Sequence, residues 1–259
     1  MRHVTDRVRE RWADGETALN AWLTFEGAAS AAVVAEAGFD AVTLDLQHGT
    51  AGLEDVGAIA AAIERAGAVP FVRLRWNDPG LVMRALDLGA RGVICPMVDS
   101  REQAEAFVRA CRYPPLGSRS YGPIHGASGA GREQTERANE EVLAFAQIET
   151  VEGLAAVAEI AATPGLDGLY VGPADLSLTM SLESFADLAD PAMLHALDAV
   201  VAAAQAAGIV PGIHAPGAER ASAMIERGFR FVGAAGDADL LAAATAEALE
   251  HVRHGPTAP

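Results

Sequence analysis

A closed (β/α)8 barrel, a TIM barrel built as a single domain over residues 1–259, is the fold this sequence predicts. Short β-like runs alternate with longer Ala-rich helical stretches along the whole chain. Most of the runs are apolar almost without interruption, the pattern of parallel strands buried on both faces. A turn signal recurs at a period of about 25–30 residues, in which a helix ends on Gly and a strand begins shortly after. It appears as Ala37-Gly38-Phe39-Asp40, Ala66-Gly67, Leu88-Gly89-Ala90, Ala207-Gly208 and Arg227-Gly228-Phe229. Some eight such units favour closure into a barrel over an open doubly wound sheet. No Gly-x-Gly-x-x-Gly follows the first run, which argues against a dinucleotide fold.

In chain order the strand runs are Leu19–Phe25, Ala41–Leu46, Val69–Leu74, Gly92–Pro96, Val142–Ile148, Gly168–Val171, Gly208–Ile213 and Arg230–Val232. The helical stretches between them are Ala28–Ala37, Leu53–Ala66, Asn77–Leu88, Ser100–Ala110, Val151–Ala161, Pro191–Ala207 and Glu219–Arg227, with Asp237–Val252 closing the chain. Residues Gly172 to Ser177 open a helix or tight turn directly after the sixth run. Tyr113–Glu141, with Pro114-Pro115 and several Gly, Ser and Arg residues, reads as a long functional loop, a lid or an arm toward a neighbouring subunit. Gly255–Pro259 reads as a frayed tail.

The formal net charge is −16, so neither nucleic acid nor an anionic membrane surface is an expected partner. Met1–Arg11 is charged and lacks the apolar core of a secretory leader, and no run reaches the ~20 apolar residues of a membrane span. Cys95 and Cys111 have no paired or metal-type spacing and read as reduced thiols of a cytoplasmic protein. All 19 basic side chains are arginine. Without a lysine, Schiff-base catalysis through a side-chain amine and the usual attachment of pyridoxal phosphate are both excluded.

In a barrel, chemistry sits at the C-terminal ends of the strands. The polar residues there are Trp22, then Asp45, Gln47 and His48, then Arg73, then Gln147 and Glu149, then Asp175, and finally His214. Neighbouring strands lie ~4.8 Å apart, so Glu149 and Asp175 on consecutive strands can converge on one cation. Hard oxygen ligands without a nearby thiolate suit Mg²⁺ or Mn²⁺. Either carboxylate alone also suits a helix cap; the pair, with Gln147 at the same mouth, points to the cation. The backbone N–H groups of Gly172-Pro173-Ala174-Asp175 form an anion cradle or an ordinary turn. His48 fits a general base, since imidazole titrates near neutrality, or a hydrogen-bonded loop residue. Arg73 in a barrel mouth needs an anionic partner, either Asp45 or a substrate oxygen gaining charge. Asp87 lies inside a helix and by itself reads as a solvated charge.

Taken in order, these stretches resemble the HpcH/HpaI aldolase family, class II pyruvate aldolases that act on 4-hydroxy-2-oxo acids. The matching residues are Gly38-Phe39-Asp40, Leu44-Asp45-Leu46-Gln47-His48, Val72-Arg73, Trp76-Asn77-Asp78-Pro79, Cys95-Pro96-Met97-Val98, Arg112-Tyr113-Pro114-Pro115-Leu116-Gly117, Gln147-Ile148-Glu149-Thr150 and Val171-Gly172-Pro173-Ala174-Asp175-Leu176-Ser177. The resemblance implies a divalent ion (Mg²⁺, Mn²⁺ or Co²⁺) on Glu149 and Asp175, with pyruvate chelating it. It implies that Gly172, Pro173, Ala174 and Asp175 hold the substrate carboxylate, supported by Gln147. Arg73 would stabilise the enolate oxygen, His48 would be the base with Asp87 as a partner, Asp45 would hold Arg73 or His48, and Trp22 would wall the pocket. It further implies a homo-oligomer, typically a hexamer, that exchanges C-terminal helices between subunits. Gln47 departs from the Glu found in many members, and His214 stands where the family is often apolar; both lie near the expected aldehyde portion. Oxaloacetate decarboxylation, or another C–C lyase reaction through a pyruvate enolate, stays open as an alternative. More distant readings are a sugar-phosphate isomerase, with phosphate at Gly233-Ala234-Ala235-Gly236, and a non-catalytic binding barrel.

Overall fold

The computed structural model describes residues 4–122 and 131–255. Eight parallel strands pair in chain order and close into a barrel. They are β1 (Ala18–Leu23), β2 (Ala41–Asp45), β3 (Val69–Arg73), β4 (Gly92–Cys95), β5 (Leu143–Ile148), β6 (Gly168–Val171), β7 (Val210–His214) and β8 (Phe231–Gly236). The helices around them are α1 (Asp6–Ala13), α2 (Ala28–Glu36), α3 (Val56–Arg65), α4 (Pro79–Asp87), α5 (Arg101–Cys111), α6 (Arg132–Glu141), α7 (Val151–Ala155), α8 (Val157–Ala161), α9 (Pro173–Thr179), α10 (Pro191–Ala207), α11 (Ala218–Arg227) and α12 (Asp237–His254). No helix among the described residues is long and apolar enough to cross a membrane.

Two apolar layers hold the barrel. The outer layer lies between strands and helices, where Val42, Leu44, Val72, Val93, Ile148 and Val171 meet the helix faces. The inner layer follows from the two-residue period of a strand, which sends alternate side chains inward. Phe71, Phe145, Tyr170 and Phe231 fill the interior. Glycines on neighbouring strands make room for these rings: a Cβ at Gly92 would run into Phe71, and one at Gly212 would sit 2.7 Å from Tyr170. The far end is plugged by α1, whose Trp12 packs edge-on against Phe231 at 5.9 Å and donates from Nε1 to the Arg230 carbonyl at 2.8 Å.

The expected strands and most helices are present with most ends moved by one or two residues; α3 starts three residues later and β8 runs four residues further, to Gly236. Gly208 and Gly228 take the left-handed conformation that ends α10 and α11. Four features depart from the sequence reading. α1 is additional: only Val8 and Trp12 in it are apolar and inward, too few for a periodic signal. The long loop Tyr113–Glu141 contains α6, whose residues are polar nearly all round, so hydrophobic periodicity is silent there. Residues 123–130 of that loop, His125 among them, lie outside the described residues, as do His3 and residues 256–259 of the expected tail. The stretch Val151–Ala161 is two short helices broken at Ala156. Finally, Gly233-Ala234-Ala235-Gly236 is strand and not a phosphate loop: its small residues have little strand preference, but pairing with β1 and β7 draws them into the sheet.

Candidate active site

The strand period that buries the aromatics below also lifts polar side chains to the barrel mouth. One step beyond the ring layer, inward positions carry Trp22 on β1, Asp45 on β2, Arg73 on β3, Gln147 on β5 and His214 on β7, and these residues meet at the mouth. In the β2–β3 register Asp45 is the direct partner of Arg73. A cavity of about 250 Å³ opens there.

Asp45 organises one wall. Its two oxygens accept from Arg73 Nε at 2.9 Å and from Arg73 Nη2 in a bidentate pair, from Trp22 Nε1 at 3.2 Å, and from the backbone N–H groups of Gln47 at 2.9 Å and His48 at 3.2 Å. Burial alone would raise the Asp45 carboxyl; the Arg73 hydrogen bonds and charge, with His48 N–H and Trp22, outweigh it and hold the group below its usual range. Arg73 also lies over the Trp22 ring, 5.0 Å from the centroid. The two partners read as alternatives for Asp45, Arg73 and His48, are thus both engaged, the latter through its backbone. The imidazole of His48 is on the solvent-accessible rim of the same cavity.

The opposite wall is acidic. Glu149 is 1% exposed and ends β5. Its Oε1 accepts from the Met97 N–H at 2.7 Å, and Oε2 accepts from Gln147 Nε2. Met97 holds φ at 54°, a strained region for a residue with a side chain, and that turn aims its N–H at the carboxylate. Desolvation, together with the neighbouring negative charge of Asp175, pushes Glu149 up to about 7 against the lowering pull of the Met97 N–H. Neither carboxylate is a helix cap: Thr150 caps α7, accepting from Gly153 N–H at 2.9 Å, and Asp175 sits in the first turn of α9 behind Gly172. The first intrahelical bond of α9 runs from Leu176 N–H to the Gly172 carbonyl at 3.1 Å, which leaves the N–H groups of Ala174 and Asp175 ahead of it.

This wall fits a small hard cation. Glu149 and Asp175 set two acids side by side at a largely buried wall, Gln147 Oε1 is buried without a hydrogen-bond partner, and Gly172 keeps the space open. A Cβ at Gly172 would fall 2.5 Å from Glu149 Oε2 and 2.7 Å from Gln147 Nε2. Among the described residues no group of three or more His, Cys, Asp or Glu converges, so a cation here would take two protein carboxylates and complete its shell from water or substrate.

A third wall is formed by His214, Pro216, Leu188 and Ala186, with Arg220 of α11 at the rim. Leu188, Ala186 and Arg220 carried no sequence signal, because the first two reach the mouth through an irregular segment after α9. Ser177 secures that segment, its hydroxyl accepting from Ala186 N–H at 3.1 Å. Met97 acts through its backbone and is invisible to residue-type reasoning, whereas Tyr170 follows from the inward period of β6. Asp87 has a different partner within the chain. It is the last residue of α4, at the end remote from the mouth, and pairs with Arg119 at 2.8 Å. Within one chain it does not reach His48.

A family model described as HpcH/HpaI aldolase/citrate lyase matches residues 19–244. The chain is 37% identical over 248 residues to a hydroxypyruvate/pyruvate aldolase of Rhizorhabdus wittichii, spanning 96% of this chain and 99% of that one. It is 35% identical over 231 residues to a 4-hydroxy-2-oxo-heptane-1,7-dioate aldolase of Salmonella arizonae, spanning 88% and 87%. Among solved structures, an HpcH/HpaI aldolase/citrate lyase family protein from Burkholderia cenocepacia superposes with a TM-score of 0.88 at 34% identity, covering 95% of this chain and 98% of that one.

The acidic wall makes a stability prediction. A carboxyl whose folded value, about 7, exceeds its ordinary 4.5 binds its proton more tightly in the folded state, so stability is lost as pH rises through that window. Glu149→Gln removes this penalty. In chelator, the variant should gain stability over the parent between pH 4.5 and pH 8, on the order of 2–3 kcal/mol. Urea titrations at both pH values measure it; parallel pH profiles for the two proteins would contradict the assignment.

Proposed function

The chain belongs to the HpcH/HpaI aldolase/citrate lyase family, and from that premise we propose that it is a divalent-cation-dependent class II aldolase. Its reaction is the reversible cleavage of 4-hydroxy-2-oxo acids to pyruvate, or a related 2-oxo acid, and an aldehyde. The observation that carries this reading is the placement of two acids, the buried Glu149 and the half-buried Asp175, across one cavity from a guanidinium held by Asp45.

Glu149 and Asp175 would hold a divalent cation, which would supply Lewis-acid polarisation of a bound 2-oxo acid. The N–H groups of Ala174 and Asp175 receive the substrate carboxylate, which fixes the orientation of the 2-oxo acid. His48 takes the proton of the 4-hydroxyl, the C3–C4 bond breaks, the aldehyde leaves, and its bonding electrons pass to an enolate. Arg73 donates to the enolate oxygen. Its Nε and Nη2 are already committed to Asp45, so the guanidinium is set in place before charge develops and need not reorganise. Protonation of the enolate at C3 gives pyruvate. The buried Cys95 and Cys111 are free thiols, which suits a reducing cytoplasm.

The same reading extends to assembly. Every residue of α12 from Asp239 to His254 is exposed, including Leu240, Leu241, Leu249 and Val252. A helix of this length without packing is marginal in water. A homo-oligomer, a hexamer in which α12 is exchanged between subunits, would cover it.

Two experiments follow. Pyruvate release from a panel of 4-hydroxy-2-oxo acids should vanish in chelator and in Glu149→Ala and Asp175→Ala, and His48→Ala should lower kcat by about 10²–10⁴. Full activity in chelated protein would defeat the cation's role. Light scattering should give six chain masses, and charged substitutions at Leu241 and Leu249 should dissociate the particle. A fully active monomer at micromolar concentration would refute the exchange of α12.

A further inference from the structure

Beneath the third wall lies a run of buried polar groups that cleavage does not use. Thr43 and Asn20 are fully buried, and the Thr43 hydroxyl donates to Asn20 Oδ1 at 3.0 Å. That bond fixes the amide, so Asn20 presents its Nδ2 hydrogens on the other side. The fully buried Tyr170 hydroxyl faces Asn20. Asn20 Nδ2, Tyr170 Oη and His214 Nδ1 are all buried and without a partner of good hydrogen-bond geometry. Three such orphans in one interior would be costly if they did not serve each other. The space that joins the last two is provided by Gly233, where a Cβ would fall 2.6 Å from Tyr170 Oη and 3.1 Å from His214 Nδ1.

The direction of donation can be followed along this run. Asn20 Nδ2 can only donate, so when Tyr170 Oη accepts from it the phenol hydrogen is free to serve His214 Nδ1 through one water in the space beside Gly233. An imidazole whose Nδ1 accepts carries its proton on Nε2. The His214 ring lines the cavity, edge-on to Trp22 at 4.9 Å between centroids. Burial, with Arg73 nearby, lowers His214 to about 4, so the ring is neutral at ordinary pH. The β5–β6 wall and Arg73 are committed to the 2-oxo acid end, which leaves the third wall for the aldehyde portion. Apart from His214 and the rim residue Arg220, that wall is apolar, formed by Trp22, Pro216, Leu188 and Ala186.

We propose that His214 is a specificity-determining residue that donates from Nε2–H to an oxygen on C5, so that the preferred substrates are 4,5-dihydroxy-2-oxo acids, which yield 2-hydroxyaldehydes. The inference rests on the aldolase reading above and names the substrate class of that site. Tyr170 is the positioning residue, acting through the imidazole tautomer. A substrate with an alkyl C5 leaves the His214 donor facing an apolar group, and a site of that kind rejects the analogue lacking the oxygen.

The test has two arms. Nitrogen-15 histidine NMR of the intact protein at neutral pH should show His214 as the neutral Nε2–H tautomer, and Tyr170→Phe should shift the Nδ1 resonance. In the second arm, kcat/KM for pyruvate release is compared between a 4,5-dihydroxy-2-oxo acid and its 5-deoxy counterpart. The parent should favour the hydroxylated substrate by about tenfold or more. His214→Leu should bring that ratio near one, His214→Gln should keep part of it, and Tyr170→Phe should reduce it. An Nδ1–H tautomer, a charged imidazole, or an unchanged ratio in His214→Leu would overturn the proposal while leaving the aldolase reading in place. No pyruvate from either substrate with the parent protein would overturn both.

Discussion

The mouth of this barrel depends on the carboxylate of Asp45. Five donors from β1, β3 and the turn after β2 converge on its two oxygens. A buried charge of this kind is tolerated only when paired and fully hydrogen-bonded. Asp45 meets that condition by clamping Arg73, which places a cation opposite the acidic wall and a face of Trp22 beneath it. The same carboxylate holds the backbone at Gln47 and His48 and so sets where the imidazole begins. Arg73, Trp22 and His48 are therefore positioned together.

The acidic wall has the opposite character. Where Asp45 is satisfied by five donors, Glu149 has only the Met97 N–H and the Gln147 amide, and burial beside Asp175 pushes it up to about 7. The backbone is shaped around that carboxylate: Met97 adopts a left-handed conformation to donate to Glu149 and partly offset its charge, and Gly172 withholds a side chain where one would fill the site. Strain and empty space beside a buried acid are what a site for a cation and a chelating substrate requires. The two walls differ in what they offer: one carries a guanidinium already held in place by Asp45, the other a buried carboxyl raised to about 7 beside a second acid.

The sequence made this fold legible because strands buried on both faces write themselves as apolar runs, and because the two-residue period brings Asp45, Arg73, Gln147 and His214 to one end of the barrel. What it hid has physical reasons. α1 seals the far end with only Val8 and Trp12, and α6 has no apolar stripe, so neither leaves a periodic trace. Met97 contributes an N–H that every residue but proline has. Ala186 and Leu188 enter the cavity from an irregular segment held by local hydrogen bonds, among them Ala186 N–H to the Ser177 hydroxyl. The Arg119 partner of Asp87 was equally hidden, because it lies 32 residues away on the segment after α5. Tyr170 Oη and His214 Nδ1, which flank the space above Gly233, become neighbours only when β6, β7 and β8 pair.

The central claim is that Glu149, Asp175 and Arg73 together generate the enolate of a 2-oxo acid. Exchange of the pyruvate methyl protons with deuterium, followed by proton NMR in heavy water, reads that step without any aldehyde. The account predicts exchange with Mg²⁺ present that stops on chelation, resumes when Mg²⁺ is restored, and is lost in Arg73→Ala. Exchange at an undiminished rate in chelated protein, or its absence with every divalent cation tried, would contradict it.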